Sequence, residues 1–543
     1  MKSLISNYLA LLCCLQFAFY TLNSFTRMKE IFLAHTSTLF FSRVFEYHCL
    51  HLNSAVAICK VLTFPCLQSV SSLSHYMLNT WSSLRTTLLK SIKVFSPIIS
   101  TGCPFHCTTP TMAATDNKFS LPERYKGTEY SVWVEYIQLA IEHKPDCNLG
   151  QGFPDFPAPP EYLPKYIAEV TESNHLMNQY TRGFGHPRLV NAIADLYSKL
   201  IGRKLDPLSE ILVTIGAYEA LYCAIHGNVG PGDEVIIVEP YFDCYEPMTI
   251  SAGGTPVFIP LRNKSNNPDS GSSADWVLDP DELAKAFNSK TKLFILNTPH
   301  NPLGKVFTYE ELQVIADLCK KHNVICIADE VYEWLVYKPA THVRMATLPG
   351  MWERTITIGS AGKTFSATGW KLGWAYCPKE LMKNMVIVHQ NCVYTGVTPI
   401  QEAVARGFER EISLLGTPNS YFEKMSSMLQ PKRDYFCQVL KDVGFAPTIP
   451  EGGYFVVSKW SDLAHKADLN SENDSYKDFK FTKWMTKNVK LQGIPYSAFY
   501  CPQNKPLGED YVRYCFFKKD ETLSKAESIL RDWTGKQLPS SHL

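Results

Sequence analysis

Short β-branched or all-apolar runs alternate with amphipathic stretches through the middle of this chain, which predicts strands and helices in turn. Ile211–Ile215, Glu234–Val238, Lys292–Leu296, Val324–Ala328 and Thr355–Ile358 read as buried strands. Ala217–Ile225 reads as a helix, and so does Tyr309–Lys321. The latter has a capping box from Thr308 to Glu311 and an apolar stripe of Leu312, Ile315, Ala316 and Cys319. The first strand, its helix and the second strand make a β–α–β unit, with a turn at Gly230-Pro231-Gly232-Asp233. Residues 161–200 are helical around a Gly-rich break, NQYTRGFGHP, at Asn178–Pro187. After Gly396 the pattern turns helical, then gives a smaller α+β segment with strands Gly453–Val457 and Val512–Phe516. The expected class is α/β, with a mainly parallel sheet whose ligand edge lies at the strand ends.

Three successive strands end in polar groups. Asn301 follows the first, Asp329 ends the second and Lys363 follows the third. The third strand stops at Gly359, and Ser360, Ala361 and Gly362 then lead into Lys363, a tight uncharged turn with room for a planar ligand; a second cation, Lys371, stands eight residues on. Desolvation there would lower the lysine's pKa and expose the neutral amine that a Schiff-base nucleophile needs. Asp329 closes an all-apolar strand, so burying it requires a cationic partner. Arg513 lies inside an apolar strand, where its charge must find an anion, and a two-pronged grip on a carboxylate suits it.

Weaker signals surround these. Gly216, at a strand-to-helix junction, places free N–H groups at a helix N-terminus, a phosphate site; no GxGxxG fingerprint points to a dinucleotide. Gly152, in the loop NLGQGFPDF, reads either as a backbone amide meeting a ligand or as a turn glycine. Phe242 offers a flat face for stacking, or is simply core. Tyr180 and Arg182 sit in the Gly-rich loop, within reach of a ligand or a neighbouring subunit.

Composition adds one boundary. The net charge of +1 over 543 residues leaves no nucleic-acid footprint, but it hides an asymmetry. Residues 1–111 hold eight Lys/Arg, two Glu and no Asp, so they do not resemble the mildly acidic body. Tyr8–Leu22 has the size of a signal-peptide core, whereas Trp81–Phe95 is basic and Ser/Thr-rich like a transit peptide. A start at Met112 is the third reading. The final Ser541-His542-Leu543 is similar to a peroxisomal tripeptide without being its standard form. Seven of 17 cysteines lie in the leader; the other ten have no metal spacing and read as reduced core thiols of an intracellular protein.

From about Pro122 to Trp533 the chain resembles the fold-type-I pyridoxal-phosphate aminotransferases. Within them it is similar to the kynurenine aminotransferase group, also called glutamine transaminase K or cysteine-S-conjugate β-lyase. NLGQGFPDF, NQYTRGFGHP, NTPHNPLGK, DEVYEW and SAGKTFSATGWKLGW carry the resemblance, the second, third and fourth looking closest to the third kynurenine aminotransferase type. Residues 1–111, a leader by composition, have no counterpart in the family's shared fold; the resemblance implies an N-terminal arm with part of a small domain over 112–163, a large cofactor domain over 164–410 and a small domain over 411–543. It implies that Lys363 holds pyridoxal 5'-phosphate covalently, Asp329 pairs with the ring nitrogen, and Tyr332 and Asn301 bond the ring's phenolic oxygen. Phe242 would stack on the ring, while Ser360, Lys371 and the amides near Ala217 and Tyr218 would hold the phosphate. Tyr180 would come from the partner subunit of a homodimer. Gly152, Asn301 and Arg513 would grip the substrate carboxylate, and Trp133 would wall the pocket. Some family members carry an aromatic–His pair where this chain has Tyr394-Thr395, so its side-chain preference can differ. Implied activities are transamination between amino acids, kynurenine and glutamine among them, and 2-oxo acids, with β-lyase chemistry on the side. A lyase or synthase on the same fold and a non-catalytic cofactor-binding protein are the competing readings. The expected location is mitochondrial or cytoplasmic.

Overall fold

A computed structural model describes residues 119–157, 162–264 and 271–536. The leader, the Met112 start and the C-terminal tripeptide lie outside the described residues.

Seven strands form the main sheet: β1 (Ile211–Thr214), β2 (Glu234–Glu239), β3 (Thr255–Pro260), β4 (Thr291–Asn297), β5 (Ile325–Asp329), β6 (Thr355–Ser360) and β7 (Gly373–Tyr376). Their spatial order is β1-β7-β6-β5-β4-β2-β3, and every neighbouring pair is parallel except the two made by β7. All six residues of β6 are buried, as are five of the six in β2, because helices cover both faces of the sheet. The β–α–β unit read from residues 211–238 is therefore not a pair of adjacent strands. β1 lies at one edge and β2 five places away, since β7, β6, β5 and β4 fit between them.

The second sheet has four antiparallel strands in the order β8-β9-β11-β10: β8 (Ala446–Thr448), β9 (Phe455–Lys459), β10 (Ile494–Pro495) and β11 (Tyr511–Cys515). Val457 on β9 faces Arg513 on β11. Helix Tyr309–His322 begins with both halves of its capping box formed, and Leu312, Ile315, Ala316 and Cys319 are all buried.

Around Lys363 the structure differs from the expected turn. β6 runs on through Gly359 to Ser360, and Lys363 sits on a single helical turn, Ala361–Thr364. Gly359 lies inside the strand instead of ending it. A Cβ there would lie 2.3 Å from the Trp374 indole, so the glycine lets β7 pack that ring across β6. The ten body cysteines are free thiols and nine are buried, as core residues should be. Among the described residues no helix is long and apolar enough to cross a membrane.

Candidate active site

Adjacent strand ends assemble the first half of the site. Registers Asn297↔Asp329 and Asp329↔Ile358 bring the carboxyl ends of β4, β5 and β6 side by side. The polar groups that follow each strand in sequence thereby share one edge. Asn297 Nδ2 donates to the Asp329 carbonyl (2.8 Å) and its Oδ1 accepts from Asn301 N (2.7 Å), which fixes the loop between β4 and the site.

Asp329 is buried, and burial pushes its carboxyl up to about 6. Among the described residues Asp329 makes no direct ion pair, and the Lys363 charge acts on it at longer range. Tyr245 Oη donates to Oδ2 at 2.6 Å, and Val331 N approaches Oδ1 at 3.4 Å. Lys363 is half-buried with its amine enclosed, and desolvation brings it down to about 8. Its Nζ donates to Tyr454 Oη (2.6 Å) and lies 5.4 Å from the centre of the Tyr332 ring. Charge on Arg513 and Lys371 also lowers it, which sets all three cations in one electrostatic neighbourhood.

Arg513 is 1% exposed and makes no direct ion pair among the described residues, although the buried Asp243 acts on it at longer range. Nη1 donates to Asn301 Oδ1 and Nη2 to the Gly150 carbonyl, both at 3.0 Å, while Nε has no partner. The rings of Phe455, Phe499 and Trp133 surround it at 3.9, 4.9 and 5.1 Å. Burial lowers it to about 10. A guanidinium enclosed this way is a strong site for a planar anion.

Helix Gly216–His226 follows β1 and has no side-chain cap, so the amides of its first turn, Ala217 and Tyr218 among them, are open. A Cβ on Gly216 would stand 3.6 Å from Lys371 Nζ, which puts that exposed lysine at the helix N-terminus. Ser360 is buried at the end of β6. Phe242 is half-buried, edge-on to Tyr218 and Tyr245. Tyr180 stands apart: it is 84% exposed and meets Tyr394 edge to face, with ring centres 6.0 Å apart. Within one chain it is not brought to the other groups.

Tyr245, Tyr454 and Lys518 were not singled out from the sequence. Lys518 Nζ holds the Gln151 and Phe153 carbonyls (3.2 and 2.7 Å), so the loop carrying Gly152 hangs from the second sheet. Two clusters of metal-ligand residue types are already engaged internally. Glu219 accepts from His389 Nδ1 at 2.6 Å beside Cys223, and Glu330 and Glu333 take His342 and Arg344.

A half-buried lysine of lowered pKa, a buried acid at the neighbouring strand end and a buried arginine without a direct ion pair make up the reactive site of an enzyme. The chain belongs to the class I and II aminotransferases, whose pattern its residues 144–529 match. It is 53% identical to kynurenine–oxoglutarate transaminase 3 of Mus musculus over 432 residues, covering 79% of this chain and 93% of the relative. Kynurenine–oxoglutarate transaminase 1 of Homo sapiens is 49% identical over 412 residues, covering 76% of this chain and 97% of the relative. Among solved structures, N-succinyldiaminopimelate aminotransferase of Mycobacterium tuberculosis superposes with a TM-score of 0.68 at 34% identity, over 76% of this chain and all of the other.

Proposed function

We propose that this aminotransferase uses pyridoxal 5'-phosphate to move an amino group between kynurenine, or other neutral amino acids such as glutamine, and 2-oxo acids. The observation that carries the reading is Arg513, a fully buried cation with no direct ion pair among the described residues, close enough to Lys363 for each charge to act on the site. Amino donor and oxo acceptor each bring an α-carboxylate, so one guanidinium serves both halves of the exchange.

The residues fit the cofactor. Lys371 at an uncapped helix N-terminus asks for a phosphate. Asp329 takes the Tyr245 hydroxyl on one oxygen and only a long amide contact on the other, leaving it room to accept from a protonated ring nitrogen. When bound, the group supplies a reactive aldehyde carbon and a ring that spreads negative charge from the substrate's Cα. Arg513, Asn301 and the Gly152 loop then hold the substrate carboxylate, which orients the Cα–H bond. Lys363 Nζ, with its pKa near 8, takes the Cα proton as a neutral amine. Tyr332, Asn301 and Phe242 would hold the cofactor ring, with Ser360, Ala217 and Tyr218 holding the phosphate. Trp133 closes the side beyond Arg513. A substrate with a good leaving group on Cβ would expel it after the same proton transfer, which is the β-lyase reaction.

A homodimer that lends Tyr180 to the opposite site accounts for its exposure beside Tyr394, Val397 and the Gly-rich loop. The test is an absorbance titration of the cofactor-loaded protein with amino acids. Kynurenine and glutamine should shift the cofactor band, while amines lacking a carboxylate should not. Arg513→Ala should lower kcat/KM by about 2–4 kcal/mol in transition-state terms for donors and acceptors alike. A wild type that treats simple amines as well as amino acids would exclude this function.

A further inference from the structure

Tyr454 stands between the lysine and the loop that would meet the substrate. It immediately precedes β9 and is 2% exposed. Phe455, Tyr332 and Phe517 confine its ring at 4.7, 5.2 and 5.4 Å between centres. Its hydroxyl donates to the Gly152 carbonyl at 2.7 Å, with the Tyr332 hydroxyl as a second neighbour able to accept that proton. Toward Lys363, 2.6 Å away, it therefore presents lone pairs alone. That makes it an acceptor for one N–H of the amine and leaves the amine's own lone pair unengaged.

The other end of this bridge is equally constrained. A Cβ on Gly152 would lie 2.5 Å from the Phe455 ring, so the loop backbone is pressed against the start of β9. Four successive loop carbonyls are held by side chains near the second sheet: Gly150 by Arg513, Gln151 and Phe153 by Lys518, and Gly152 by Tyr454. The carboxylate grip and the amine are thus tied to carbonyls two residues apart on one strap.

We propose that Tyr454 is a positioning residue for proton transfer, holding the Lys363 amine against the Gly152 strap so that its lone pair stays aimed at the substrate's Cα. This rests on the reading of Lys363 as the proton carrier. Burial raises the Tyr454 phenol far above its ordinary range, so it stays protonated and does not act as the base itself. In the free amine state, two N–H groups and one lone pair must be sorted among neighbours. An acceptor fixed on one side decides the orientation, and small errors in such geometry can cost about 100-fold in rate.

Tyr454→Phe removes one oxygen and keeps the ring. In the cofactor-loaded enzyme, kcat with glutamine should fall about 10–100-fold while KM stays within about two-fold. The isotope effect with Cα-deuterated substrate should rise as proton transfer becomes slower. A second readout needs no turnover. In cofactor-free protein, the pH dependence of Lys363 modification by trinitrobenzenesulfonate should move to lower pH in the variant, because the ammonium form loses its acceptor. An unchanged kcat and isotope effect, or a loss confined to KM, would overturn the proposal, as would an unmoved modification profile. Wild-type turnover and borohydride labelling of Lys363 in the same preparations separate the two ideas: if they hold while the Tyr454 effects are absent, only the positioning role fails.

Discussion

Asp329 and Glu330 are neighbours on the chain, both buried, and they have opposite surroundings. Glu330 is saturated: Met345 N donates to Oε1 at 3.0 Å and His342 Nε2 lies 3.1 Å from Oε2. Three residues on, Glu333 takes Arg344 Nη2 at 2.5 Å and the Tyr197 hydroxyl. Asp329 has one good donor and no direct ion pair. Asp329 ends β5 and Glu330 follows it, so the chain leaving the strand puts one acid into the site and the next into a closed network. A group that serves the fold is satisfied before any ligand arrives, whereas Asp329, Lys363 and Arg513 carry desolvation costs that a bound ligand would relieve.

The sharpest way to break this contrast is to remove a group from each side. Lys363→Met should lower kcat at least about 1,000-fold without lowering the melting temperature of the cofactor-free protein. Arg344→Met strands Glu333 in the interior and should cost about 3–5 kcal/mol of stability. Any folded fraction of that variant should keep its kcat, which urea unfolding and turnover per loaded site would check together. Asp329→Asn should do the reverse. It is expected to lose roughly 3–4 kcal/mol of transition-state stabilisation while holding or raising stability at neutral pH. The pH effect is the smallest. Because the folded Lys363 pKa sits at about 8 against 10.5 when unfolded, the unfolded chain binds the extra proton between those values. Its cost to the cofactor-free protein is full below pH 8 and fades as the pH rises toward 10.5. The stability advantage of Lys363→Met over wild type should shrink across that window; an advantage that stayed constant would mean the lysine is not desolvated.

Much of this was readable from local pattern. Capping at Thr308, the buried stripe after it, the apolar strands and the polar groups at three consecutive strand ends all follow from rules that act within a few residues. The Lys363 turn and the Arg513 strand were legible because a charge among small or apolar residues is conspicuous in one dimension. Tyr454 was not, since GGYFVV reads as an ordinary buried strand and an aromatic there is core by default. Its hydroxyl is polar only in relation to Lys363 and Gly152, 91 and 302 positions away. Tyr245 likewise donates to an acid 84 positions away.

The sequence by itself therefore determined which segments are strands and helices, which side chains carry charge into apolar surroundings and which family of folds accommodates them. Tertiary structure alone decided that β1 and β2 lie five places apart, that Gly359 makes way for the Trp374 ring, and that Arg513 meets Asn301 and the Gly150 carbonyl. The division has a physical origin. Periodicity, caps and propensity are short-range and sum along the chain, while strand order, close approach and hydrogen-bond partners depend on which distant surfaces pack together.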